Sequence, residues 1–175
     1  TPQAKIAAEI WRGPVTENPN FKTWFGDSKV TQEDGSPMVV YHGTPDGCFQ
    51  YFDQYKEGAN TGSADAQHGL GGFYFSDSPD IANTYARTHE VEFADVAERE
   101  LGITPANTAI GPSIYPVYLA MRRPLAIDGI VTRKVVDRAK QNGNDGIIAR
   151  IGGNSEYVVF SSEQIKSAIG NSGKF

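Results

Sequence analysis

Short apolar runs bounded by turn residues dominate the chain, and long helical periodicities are few. Met38-Val39-Val40-Tyr41-His42 is short, apolar and β-branched, follows the turn signal Glu33-Asp34-Gly35-Ser36-Pro37, and reads as a buried strand ending on His42-Gly43-Thr44. Phe73-Tyr74-Phe75, Tyr115 to Leu119, Gly146 to Ile151 and Glu156 to Phe160 read the same way, the last entered through Gly152-Gly153-Asn154-Ser155. Pro116 cannot donate to a ladder, which places its strand at an end or a sheet edge.

Helical spacing is confined to a few segments. Ala4 to Trp11 is compatible with a helix that Gly13-Pro14 ends. Ser76-Asp77-Ser78-Pro79 offers a cap and a first-turn proline for a helix through Ile81, Ala82 and Tyr85. Further helices are expected around Glu92 to Leu101 and from Thr132 to Lys140, and Phe21 to Gly26 is an aromatic cluster. The polar, glycine-rich stretch from Lys56 to Gly72 is too long for a tight turn and reads as a functional loop. These elements interleave irregularly, which disfavours a doubly wound sheet and predicts an α+β fold.

Composition narrows the class. A length of 175 residues with 39% hydrophobic content suits one domain with a real core. The formal charge of -5 opposes a surface that attracts nucleic acid phosphates everywhere. Arg122 with Arg123, and Lys134, Arg138 and Lys140 on one predicted helix, could form a local basic patch, but a solvated helix face explains them as well. A lone cysteine, Cys48, makes no internal disulfide and has no companion suited to nucleophilic chemistry. No apolar run approaches the roughly 20 residues that cross a bilayer, so a soluble protein without membrane partners is expected. The start at Thr1-Pro2-Gln3, without methionine, suggests a piece of something longer.

Several familiar sites fail on spacing. Gly69-Leu70-Gly71-Gly72 precedes a strand and lacks the dinucleotide fingerprint; Gly170 with Gly173-Lys174 is too short for a phosphate loop and ends on Phe175. His42, His68 and His89 form no zinc-type pair, so no metal is expected.

Three segments remain: Tyr41-His42-Gly43-Thr44; Gly72-Phe73-Tyr74-Phe75 with Ala82 and Tyr85; and Asn154-Ser155-Glu156-Tyr157-Val158-Val159-Phe160. Each sets a polar or aromatic residue at the edge of an apolar strand, and together, in this order, they resemble the His-Tyr-Glu class of ADP-ribosyltransferases. With Phe21-Lys22-Thr23-Trp24-Phe25-Gly26-Asp27-Ser28-Lys29-Val30 and Gln164-Ile165-Lys166-Ser167-Ala168, the chain is similar to the transferase domains of phage and mobile-element polyvalent proteins and to related bacterial toxin modules. The resemblance runs from about residue 21 to 173, leaving residues 1–20 as an N-terminal extension of a single catalytic domain.

That resemblance implies two packed, mostly antiparallel sheets flanked by helices, with NAD⁺ as substrate in the cleft between them. It implies catalytic roles for Glu156, His42 and Tyr74, and NAD⁺ contacts from His42, Gly43, Thr44, Tyr74 and Tyr85. Cleaving the bond between nicotinamide and ribose passes through an oxocarbenium-like state, for which a carboxylate such as Glu156 is suited. By the resemblance, His42 holds a ribose hydroxyl, Gly43 meets the nicotinamide carboxamide, and Tyr74 and Tyr85, eleven positions apart, sandwich its ring. Two departures stand out. Ala82 occupies the place where many poly-ADP-ribose polymerases carry a serine, and Asn154 removes the second glutamate of arginine-directed transferases.

The expected reaction is mono-transfer of ADP-ribose to a macromolecule, protein or nucleic acid, with nicotinamide released. The setting would be a toxin, effector or phage-borne protein acting in a cytoplasm, with an immunity partner if it is a toxin. Two other readings stay open: an NAD⁺ glycohydrolase using water as acceptor, and a non-catalytic binding module.

Overall fold

The computed structural model describes residues 13–45, 52, 71–87 and 112–169. The expected helices at 4–11 and 92–101, most of the 56–72 loop, Cys48, His68, His89 and the glycines at 170 and 173 lie outside the described residues.

Within them, seven strands form one sheet. They are β1 (Val40–Thr44), β2 (Phe73–Ser76), β3 (Ser113–Leu119), β4 (Pro124–Asp128), β5 (Gly146–Ile151), β6 (Asn154–Val159) and β7 (Ile165–Ser167), in the spatial order β4-β5-β6-β2-β1-β3-β7. Every neighbouring pair is antiparallel except β4–β5, whose parallel pairing is made through the helix between them. Three helices accompany the sheet: α1 (Pro19–Phe25), α2 over residues 79–87, and α3 (Arg133–Gln141).

Local chemistry accounts for the element ends. Asn18 caps α1 by accepting from the Asn20 amide at 2.8 Å, with Pro19 in the first turn. Thr132 caps α3 through the Val135 amide. Ser76 and Ser78 accept from the amides of Ser78 and Ile81 and start α2, with Pro79 first in the helix. Gly152 (φ 57°) and Gly153 (φ 92°) supply the two left-handed positions of the tight hairpin joining β5 to β6. The turn at 33–36 is closed by Asp34, whose carboxylate accepts from both the amide and the hydroxyl of Ser36.

The sheet buries both faces. On one, Val40, Phe73, Phe75, Val117, Leu119, Tyr157, Val159 and Ile165 form a core with Val30 and Met121. On the other, Ile147, Ala149 and Val158 pack beneath Val136 and Ala139 of α3. The strict alternation along β2, β5 and β6 is the period-2 pattern a twice-covered sheet requires.

The mixed, mostly antiparallel α+β architecture is as expected, but the described strands form one sheet where two packed sheets were expected, and its narrowest pairing lies at its middle. β4-β5-β6-β2 is one continuous ladder and β1-β3-β7 another, and they join at the register pair Tyr41↔Ser76. By contrast, β1–β3 pairs at five positions and β2–β6 at four. Pro116 lies inside β3 and not at its end; its carbonyl accepts from the Ala168 amide, so its missing N–H falls on the flank where β7 has finished at Ser167.

Candidate active site

The join between the two half-sheets is where the candidate residues gather. His42 follows Tyr41 on β1, and its ring spans the join: Nδ1 lies 2.8 Å from the Tyr74 carbonyl on β2. A carbonyl only accepts, so Nδ1 carries the proton, and in the neutral ring Nε2 is the acceptor nitrogen. Burial holds the imidazole below its usual pKa, against a smaller opposing effect of the carbonyl hydrogen bond, and the ring is neutral near pH 7. Phe52 stands edge-on to it at 5.1 Å and Phe75 lies tilted at 5.5 Å, which explains the desolvation.

Tyr74 and Glu156 share a face of the β2–β6 ladder. Ser76 is opposite Glu156 and Tyr74 opposite Val158, so the tyrosine and the glutamate are diagonal neighbours. Burial raises the Glu156 carboxyl above the ordinary glutamate range. Tyr85 reaches the same place from α2. Its phenol is raised first by burial and then by the Glu156 charge, while the residue keeps 40% of its surface exposed. Tyr74 and Tyr85 thus approach Glu156 from different elements, one packed against the α3 core and one open to solvent.

Gly43 has a role that composition does not reveal. A Cβ at this position would lie 1.7 Å from the Ala82 carbonyl oxygen and 3.1 Å from the Ala86 amide nitrogen. The glycine therefore lets α2 cross directly over β1. Ala82 itself is buried at that crossing, and Thr44 is buried opposite Ser113 in the β1–β3 ladder.

Two contributors were not foreseen. Phe52, in a stretch without periodicity, walls His42 and touches Phe73, Phe75 and Tyr115. Asp77, foreseen only as part of a helix cap, accepts from the Ser155 amide at 2.9 Å beside Glu156. Among the described residues no group of three or more His, Cys, Asp or Glu side chains could hold a metal ion.

A family model described as "ADP-Ribosyltransferase in polyvalent proteins" matches residues 32–135 and 130–175. The chain belongs to this family. The match takes in β1 to β7, α2, α3 and all six candidate site residues. The family's members are transferases with NAD⁺ as substrate, and membership implies both NAD⁺ and an ADP-ribose acceptor for this chain. No curated protein matches the sequence. Among the described residues, no helix of this polyvalent-type transferase is long and apolar enough to cross a membrane.

Proposed function

We propose that the chain transfers ADP-ribose from NAD⁺ to a macromolecular acceptor and releases nicotinamide, as a mono-ADP-ribosyltransferase. The observation that carries the reading is the convergence of Glu156, Tyr74 and Tyr85 beside the β1–β2 join that His42 spans. NAD⁺ would lie at that join. Tyr85 and Tyr74 offer flat faces to the nicotinamide ring. His42, neutral and with Nε2 as acceptor, suits a ribose hydroxyl that donates.

In the reaction, the bond from the ribose C1′ to the nicotinamide nitrogen breaks, and its electron pair leaves with nicotinamide. C1′ takes on oxocarbenium character, which the Glu156 carboxylate stabilises while accepting from the 2′-hydroxyl. The acceptor nucleophile bonds C1′ and gives its proton to Glu156 or solvent. Burial of Glu156 strengthens its effect on the developing charge, and the positive pyridinium of NAD⁺ favours its ionised form.

The deciding experiment is incubation of purified protein with radiolabelled NAD⁺ and a bacterial lysate, with Glu156→Gln alongside, followed by separate protease and RNase digestion. Wild-type protein labels a macromolecule, and Glu156→Gln lowers transfer by about a hundredfold or more while keeping NAD⁺ binding. NAD⁺ consumed without macromolecular label would make the chain a glycohydrolase. NAD⁺ left intact by the wild type would refute the enzymatic reading.

A further inference from the structure

Asp77 sits where three elements of the site meet. It is the residue after β2, which carries Tyr74; it precedes Ser78, whose hydroxyl caps α2, the helix of Tyr85; and it touches β6 one residue before Glu156. The contact with β6 has two points. The Asp77 carboxylate Oδ2 accepts from the Ser155 amide at 2.9 Å, and the Asp77 amide donates to the Ser155 carbonyl at 3.2 Å. The β2–β6 register ends at Ser76↔Glu156, so this clamp fixes the strand just past the last ladder pair. The other carboxylate oxygen, Oδ1, is buried and has no hydrogen-bond partner among the described residues. A buried oxygen left so is costly, which is hard to account for if Asp77 served only to cap a turn that Ser76 and Ser78 already cap.

We infer that Asp77 is a positioning residue that locks the Glu156 strand to the β2–α2 corner, setting the carboxylate against the two tyrosines. The inference rests on the transferase reading for its catalytic consequence. Asp77 touches neither substrate nor the reacting bond; it acts by holding Ser155. Asn154, Ser155 and Glu156 stay paired with β5 on their other side, so without the clamp the start of β6 loses its hold on the β2–α2 corner and can shift against it together with the β5–β6 hairpin. A displacement near 1 Å costs on the order of a hundredfold in rate.

The test compares full-length wild type, Asp77→Ala and Asp77→Asn. Asparagine retains an oxygen for the Ser155 amide; alanine does not. Asp77→Ala is expected to lower kcat for NAD⁺ turnover by about tenfold to a hundredfold, with KM for NAD⁺ within about twofold of wild type, and Asp77→Asn to recover most of the loss. Amide hydrogen exchange at Ser155 is expected to be slow in wild type and Asp77→Asn and fast in Asp77→Ala. An Asp77→Ala enzyme with wild-type kcat, a loss confined to KM, or an Asp77→Asn enzyme as impaired as Asp77→Ala would overturn the inference. If wild type leaves NAD⁺ intact, the transferase reading falls, and the clamp then stands or falls on the Ser155 exchange alone.

Discussion

Replacing Gly43 by alanine sets a single methyl against the backbone of α2. The added carbon would lie 1.7 Å from the Ala82 carbonyl oxygen and 2.6 Å from its carbon, whereas real Cβ atoms keep beyond 3.0 Å, so helix or strand must move by about 1.3 Å. Overpacking of this kind costs about 1–3 kcal/mol where side chains can adjust. Here the obstacle is main chain, which puts the cost near 3 kcal/mol. For a chain of this size that corresponds to a fall in melting temperature of roughly 6–12 °C. The shift is carried along α2 to Tyr85, so the folded fraction also loses about a hundredfold in NAD⁺ turnover. Thermal unfolding followed by circular dichroism, with turnover measured well below the transition, reads both effects. Ala82→Gly leaves the carbonyl in place and does not rescue. A Gly43→Ala protein melting within about 2 °C of wild type would refute the packing argument; one of wild-type stability that only binds NAD⁺ poorly would assign Gly43 to ligand contact instead.

Ser28→Ala is expected to destabilise by about 1–3 kcal/mol without changing turnover per folded molecule, because the buried hydroxyl donates to the Leu119 carbonyl and accepts from the Met121 amide; urea unfolding checks it, and an unchanged midpoint contradicts it. His42 gives a pH effect of defined sign. Its native pKa is lowered, so between that value and the unfolded value near 6.5 the unfolded chain binds more protons, and stability falls as pH drops through this window. Urea midpoints at about pH 7.5 and 5.5 should therefore converge more closely in His42→Gln than in wild type, and equal pH slopes in the two proteins would show the imidazole to be unperturbed.

What the sequence disclosed, and what it hid, follows from how local each determinant is. β1, β2, β3, β5, β6, the α2 start and α3 were legible because each has a period or a cap written within a few residues; β5 was bounded as Gly146–Ile151 from its apolar run alone. β4 went unread. Its five residues are half-covered at the sheet edge, and its partner is supplied by a parallel crossover that no local pattern announces. β7 has three residues, too few for any alternation, and α1 is two turns whose aromatic face obscured its helical spacing. The site divides in the same way. His42, Tyr74, Tyr85 and Glu156 were named by motif order. Asp77 and Phe52 become visible only when strands distant in sequence are laid side by side, since neither has the spacing of a motif.

The pairing of Ser76 with Glu156 also has a consequence in time. The two residues are on the order of 80 positions apart, and β6 has no place in the sheet's centre until β2 receives it. At about 5–20 residues per second of synthesis, roughly 4–16 seconds separate the emergence of the tyrosine strand from that of its glutamate. Through that interval the nascent chain holds His42, Tyr74 and Tyr85 without Glu156 beside them, so a chain interrupted before β6 lacks the carboxylate on which the proposed transfer depends.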